Sequence, residues 1–138
     1  MAVFFDTNVL LYCTDATDEP RQAQARTLVA HFGSTGEATI STQVLIELFN
    51  VLTRKKKMPA ATARDLALAY AAWPVINSDL TLVNAAIQRS VQNRLSIFDA
   101  MVVEAALRAQ AHTLYSEDMQ HGQRFDTLTV VNPFLAAP

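Results

Sequence analysis

Cysteine is almost absent from the 138-residue sequence, since Cys13 is the only one. An intrachain disulfide, a cysteine-rich zinc site and a CxxC redox pair are therefore excluded, and the composition suits a reducing compartment. Glycine is scarce as well, with three residues, and no stretch rich in Pro, Gly or Ser divides the chain. We therefore predict one domain over residues 1–138.

Long apolar runs are also missing, because no run approaches the roughly 20 residues needed to cross a bilayer. The N-terminal stretch has no Lys or Arg and is interrupted by Asp6, unlike a secretory signal. Charge of one sign is not in excess either, with 11 Lys and Arg against 13 Asp and Glu. The sequence thus predicts a cytoplasmic protein without membrane contact, and argues against simple electrostatic binding of nucleic acid.

The sequence does contain enough apolar residues for a core, since 51% of it is hydrophobic. Short apolar segments, which we predict as strands, alternate with segments of helical periodicity. The helix that begins near Pro20 is expected to end near His31, with residues 33–36 forming a loop. This alternation predicts an α/β fold, a three-layer α/β/α sandwich around a central parallel sheet of four to five short strands.

Two acidic residues follow predicted strands directly. Asp6 comes after the apolar residues 2–5, and Asp118 follows the strand predicted at residues 112–115. Ligands bind near the carboxyl ends of parallel strands, so both carboxylates would lie at one edge of the sheet if these strands are neighbours. Taken singly, Asp6 is equally typical of a helix N-cap and Asp118 of a loop.

Two further acids have equally ordinary explanations. Ser96 and Asp99 are spaced as in a capping box at the start of a helix. A second group of polar residues recurs at helical spacing, which is typical of a solvated helix face and equally compatible with a polar cleft. Its members are Gln43, Glu47, Asn50 and Arg54.

Together the four acids, in this order and in these local settings, resemble the PIN domain family of metal-dependent nucleases. The matching segments are residues 5–11, 41–48, 96–100, 114–119 and 130–134. A free-standing domain of this length is similar to the VapC-type toxins of bacterial toxin–antitoxin pairs. The resemblance implies a PIN-like fold, endoribonuclease activity, a cognate antitoxin protein as partner, and a homodimer.

The resemblance also implies which residues form the site. Four acids would bind the metal and carry catalysis: Asp6, Glu47, Asp99 and Asp118. Three polar residues would help to order them: Thr7, Asn8 and Ser116, the last where the family usually has a hydroxyl residue.

Such a set of carboxylates needs a counter-charge. Two like charges about 5 Å apart repel by roughly 3 kcal/mol at an effective dielectric constant near 20. Mg²⁺ and Mn²⁺ prefer oxygen ligands and can activate water for attack on a phosphodiester. We therefore expect Mg²⁺ or Mn²⁺ as cofactor, and the resemblance implies RNA as substrate.

The basic residues form one cluster, Arg54, Lys55, Lys56 and Lys57, and we expect its lysines in the last turn of a helix over about residues 43–56. Such a cluster can contact the phosphates of RNA, but cations near a helix C-terminus are also common as solvated partners of the helix dipole. Without the four proposed site acids the formal net charge changes from −2 to +2, so the remaining surface does not repel RNA.

Other functional classes fit less well. A phosphotransferase with Asp6 as nucleophile would need an acid two residues on, where Asn8 stands. A receiver-like phospho-acceptor would place a lysine after its last core strand, but no lysine follows Lys57. A catalytically silent PIN scaffold that acts through protein binding is compatible with the sequence.

Overall fold

The computed structural model describes residues 1–135, so residues 136–138 of the predicted 1–138 domain lie outside the described residues. Within this range the strands are β1 (Val3–Phe5), β2 (Ala38–Ser41), β3 (Val75–Ile76), β4 (Thr113–Tyr115), β5 (Arg124–Phe125) and β6 (Leu128–Val131). The α-helices are α1 (Thr7–Tyr12), α2 (Glu19–Thr35), α3 (Thr42–Arg54), α4 (Ala60–Ala69), α5 (Leu80–Asn93) and α6 (Ile97–Arg108), and a 3-10 turn covers Tyr70–Ala72. No helix among these is long and apolar enough to cross a membrane.

The strands form one sheet in the order β3-β2-β1-β4-β6-β5. Strands β1 and β4 pair in parallel, with Val3 opposite Thr113 and Phe5 opposite Tyr115. The two strands that precede Asp6 and Asp118 are therefore neighbours. The chain builds outward from β1 to β2 and β3 on one side, and β4 lies on the other, so the strand order reverses between β1 and β4.

Helices cover both faces of the sheet. Val3, Phe4 and Phe5 are all fully buried, although successive side chains of a strand point to opposite faces. The predicted α/β fold is thus confirmed, with a mostly parallel sheet. Five of the six strands in residues 1–135 pair in parallel, in agreement with the predicted parallel sheet of four to five strands. The additional strand, β5, is only two residues long and pairs antiparallel with β6, so it leaves no recognisable pattern in the sequence.

Two helix ends differ from the prediction. Helix α2 continues to Thr35 and ends at Gly36, whose φ of 78° is the left-handed conformation that glycine favours. Gly33 is part of the helix and packs beside the Trp73 ring. Helix α3 ends at Arg54, so the lysines at 55–57, expected in its last turn, follow the helix instead. At this position Lys55 lies beside the cleft that Asp6, Glu47 and Asp118 line.

Candidate active site

Asp6 stands at the carboxyl end of β1 and caps the N-terminus of α1. Its Oδ1 accepts a hydrogen bond from the Thr7 amide (2.8 Å), and its Oδ2 accepts one from the Ser116 hydroxyl (2.8 Å). The residue is only 5% exposed. Burial raises the pKa of Asp6 from 3.8 to about 6, although both hydrogen bonds favour the charged form. The same side chain therefore caps α1 and presents a buried carboxyl group at the carboxyl end of β1.

Glu47 approaches Asp6 from the second turn of α3. Its Oε2 accepts a hydrogen bond from the Thr7 hydroxyl (2.9 Å), and its Oε1 accepts one from the Gln43 side-chain amide (2.8 Å). The polar stripe of α3 is thus not a solvated face over its whole length, since Gln43 is buried and Asn50 lines a cleft together with Glu47.

Asn8 joins the two strand ends that carry Asp6 and Asp118. Its Nδ2 donates to Asp118 Oδ2 (3.1 Å) and to Asp6 Oδ2 (3.3 Å), and lies 3.5 Å from the Ser116 hydroxyl. Its Oδ1 accepts a hydrogen bond from the Glu117 amide (3.0 Å). One amide group therefore fixes the loop after β4 against the first turn of α1.

Asp99 lies in the first turn of α6, where its amide donates to the Ser96 hydroxyl (3.1 Å). Partial burial is the main cause that raises the pKa of Asp99, and the negative charges of Asp118 and Glu47 add to it. Asp99 is thus in electrostatic range of two other acids, but its side chain is not part of the wall of the cleft that they line.

Asp6, Glu47 and Asp118 line a common cleft of about 300 Å³. Lys55 lies on the wall of the same cleft. A neighbouring cleft of about 270 Å³ shares Lys55 and Asp118 and extends to Lys56, which pairs with Asp15 at 3.5 Å. Arg54 and Lys57, predicted with them as RNA contacts, are exposed and outside these two walls. Two residues of the basic cluster, Lys55 and Lys56, therefore line the clefts, and the other two do not.

The oxygen atoms of the site suit a hard divalent cation, because they belong to carboxylates and hydroxyl groups. Within residues 1–135, no three acidic, histidine or cysteine side chains stand close enough together to form a metal-binding cluster on their own. Hydrogen-bond donors lie between the carboxylates instead, on the side chains of Thr7, Asn8 and Ser116. Negative charge on Glu47 and Asp118 contributes to the raised pKa of Asp6, so a bound cation would relieve this repulsion.

The sequence profile of the PIN domain matches residues 3–124. The chain belongs to the PIN domain family. A search of curated protein sequences finds no significant match.

Solved structures share the fold of this PIN domain at low sequence identity. VapC20 of Mycobacterium tuberculosis, a toxin that cleaves the sarcin–ricin loop, is 18% identical with a TM-score of 0.67, over 83% of this chain and 88% of that chain. A toxin–antitoxin complex from Klebsiella pneumoniae is 17% identical with a TM-score of 0.73, over 96% and 98%. VapBC2 of Rickettsia felis, bound to a promoter DNA fragment, is 17% identical with a TM-score of 0.62, over 94% and 97%.

Glu117 is a residue near the site that sequence reasoning passed over. It accepts hydrogen bonds from the Tyr12 hydroxyl (2.7 Å) and from Arg21 Nε (2.9 Å). Arg21 also pairs with Asp18 at 3.0 Å and stacks on the Tyr12 ring. The partners lie 96 and 105 residues away along the chain, so no local pattern indicates this network. It anchors the residue next to Asp118 to α1 and α2.

Replacing Glu117 by Gln is expected to lower the nuclease activity expected of a PIN domain by about 10-fold, the lower end of the effect of removing groups that hold metal-binding side chains in place. The amide still accepts a hydrogen bond from Tyr12, but the ion pair with Arg21 is lost. The matched control is Asp126→Asn, since Asp126 is exposed and has a φ of 55° that Asn adopts readily. Equal rates for the two variants in a cleavage assay would contradict the anchoring role.

Proposed function

We propose that this PIN domain is a Mg²⁺- or Mn²⁺-dependent endoribonuclease and the toxin of a VapBC-type toxin–antitoxin pair. The observation that supports it most is the cleft at the point where the strand order reverses. Three acids from separate parts of the chain, Asp6, Glu47 and Asp118, line it together with Lys55. Such a wall offers carboxylates to a metal and a cation to a phosphate, which is the combination that phosphodiester hydrolysis needs.

Each acid has a distinct role in this proposal. Asp6 is the central metal-binding residue, because the Thr7 amide and the Ser116 hydroxyl hold its two oxygens in fixed positions. Asp99 and Asp118 bind the metal directly or through water, and Glu47 binds it or orients the attacking water. The bound ion supplies a Lewis acid for hydrolysis of the phosphodiester bond.

Three polar side chains keep the carboxylates apart and hold them in a fixed orientation: those of Thr7, Asn8 and Ser116. Each of them donates a hydrogen bond to at least one of the proposed metal-binding acids. Partners of this kind hold metal-binding side chains in the orientation that coordination requires. Ser116 supplies a hydroxyl group at a position where the family often has threonine.

The direct test is incubation of the purified protein with a mixed pool of structured RNA. Cleavage with Mg²⁺ or Mn²⁺ that EDTA abolishes would support the proposal. Absence of cleavage together with calorimetric binding of Mn²⁺ would favour a silent PIN scaffold with an intact site. Absence of both would contradict the metal-dependent activity itself.

The antitoxin is proposed because related folds were solved as toxin–antitoxin complexes. Co-expression with the product of a neighbouring small reading frame would test it, and the expected result is a stable complex that no longer cleaves RNA. The homodimer implied by the family resemblance stays a prediction, as does the extent of the domain over residues 1–138.

Lys55 is expected to contact the phosphates of the RNA, while Lys57 is not. Replacement of Lys55 by Gln should weaken RNA binding severalfold and reduce by about one the slope of log affinity against log salt concentration. The reason is that Lys55 lines both clefts next to Asp118, whereas Lys57 lies outside them. Titration of RNA into the protein at several salt concentrations, with Lys57→Gln as control, measures both effects. Identical salt slopes for the two variants would be evidence against the assignment.

A further inference from the structure

Gln43 is a polar residue inside the protein that connects two parts of the acidic site. It lies at the start of α3, one helical turn before Glu47, and is only 9% exposed. Its Nε2 donates to Glu47 Oε1 (2.8 Å) and to the Phe98 carbonyl (3.3 Å). Phe98 directly precedes Asp99 in the first turn of α6. A single side-chain amide therefore links the helix that carries Glu47 to the helix that carries Asp99.

The orientation of this amide follows from its neighbours. Rotating it by 180° would place its oxygen against a carboxylate oxygen and a carbonyl oxygen, which are both acceptors. The nitrogen must therefore face Glu47 and Phe98. The amide oxygen of Gln43 then remains buried without a hydrogen-bond partner within residues 1–135.

The hydrogen bonding of Gln43 does not favour the stability of the folded protein. A buried acceptor without a partner is unfavourable, and an apolar side chain of the same length would avoid the cost. Both oxygens of Glu47, by contrast, are held by donors, Oε1 by Gln43 and Oε2 by the Thr7 hydroxyl. The benefit of Gln43 thus lies in the orientation of the Glu47 carboxylate.

We propose that Gln43 is a positioning residue of the acidic site: its amide turns Glu47 toward the cleft and keeps the start of α6, with Asp99, at a fixed distance from it. This inference rests on the proposed function, since it assigns to Gln43 a part in the binding of the divalent cation by Glu47 and Asp99. It extends the site by a residue that carries no charge and acts only through others.

The test replaces Gln43 by Met, which keeps the length of the side chain and removes both donors. We expect calorimetric Mn²⁺ affinity to fall about 10-fold or more, the range observed when groups that orient metal-binding side chains are removed. The melting temperature in EDTA is expected to stay the same or rise, because the unpaired oxygen is removed as well. Gln92→Met, on the exposed side of α5, is the matched control and should change neither quantity.

A double-mutant cycle with Glu47→Ala shows whether Gln43 acts through Glu47. In that background the Met substitution should weaken Mn²⁺ binding much less than in the wild-type protein. Independent effects of the two substitutions, or a melting temperature several degrees lower in EDTA, would overturn the inference and leave Gln43 a packing residue. If the wild-type protein binds Mn²⁺ and cleaves RNA while Gln43→Met matches it, only this inference fails. If the wild-type protein does neither, the proposed function fails.

Discussion

Replacing Asp6 by Asn is expected to lower metal-dependent RNA cleavage by about 10³-fold, which corresponds to roughly 4 kcal/mol of lost transition-state stabilisation. Asp6 is the most buried of the four acids, and its two oxygens are already held by the Thr7 amide and the Ser116 hydroxyl. The substitution keeps the shape of the side chain and removes the charge that would hold the cation. No neighbouring acid can take its place, because none starts from the end of β1.

The rate of cleavage in the presence of Mn²⁺, measured beside calorimetric Mn²⁺ binding, separates the possible outcomes. The matched control is Asp65→Asn, an exposed acid of α4 whose one ion pair within residues 1–135 is with its neighbour Arg64. This variant should cleave RNA at the wild-type rate. Undiminished cleavage by Asp6→Asn would show that the activity arises elsewhere in the protein, or from a contaminant.

The parts of the site that could be predicted from residues alone are those encoded locally. Asp6 and Asp118 each follow a short apolar strand, and parallel pairing of β1 with β4 brings the ends of these strands together. The parallel sheet follows from alternating strands and helices, and that alternation is visible in the sequence. The predicted position of these two acids at one edge is therefore a consequence of the fold.

Glu47 and Asp99 are different, because their local patterns are satisfied by ordinary roles. Asp99 follows Ser96 at the spacing of a helix cap, and the Ser96 hydroxyl does accept its amide hydrogen. Only the resemblance to the PIN domain family indicated that both acids belong with Asp6. The structure places them in electrostatic range of the other acids, and their roles in binding and catalysis stay predictions.

Contacts between distant segments could not be predicted. Gln43 reaches Phe98 across 55 residues, and Glu117 reaches Arg21 across 96. Such contacts depend on how helices pack on the sheet, which hydrophobic periodicity describes only as a buried face. The position of the lysines was mispredicted because the first helix-breaking residue after α3, Pro59, lies beyond them, whereas the helix already ends at Arg54.

In EDTA, Asp6→Asn is expected to stabilise the protein, although it is expected to remove most of the activity. Burial raises the pKa of Asp6 from 3.8 to about 6 in the folded state. Below pH 3 both the folded and the unfolded chain hold this proton for most of the time, and at pH 4 its effect on stability is still below about 1 kcal/mol. As the pH rises toward 6, the unfolded state releases the proton first, so the folded state loses stability by up to about 3 kcal/mol.

Asn at position 6 does not titrate, so Asp6→Asn should be nearly equal to the wild-type protein in stability near pH 4 and more stable at pH 7. The gain is reduced by the Asn8 amide, which donates to Asp6 Oδ2 at 3.3 Å and would face the new amide group instead. Urea unfolding of both proteins in EDTA at several values between pH 4 and pH 7 measures the difference. Mn²⁺ should then stabilise only the wild-type protein, since a ligand stabilises the state that binds it. A wild-type protein more stable than Asp6→Asn at pH 7 in EDTA would mean that the carboxylate is fully compensated by its hydrogen bonds and needs no cation.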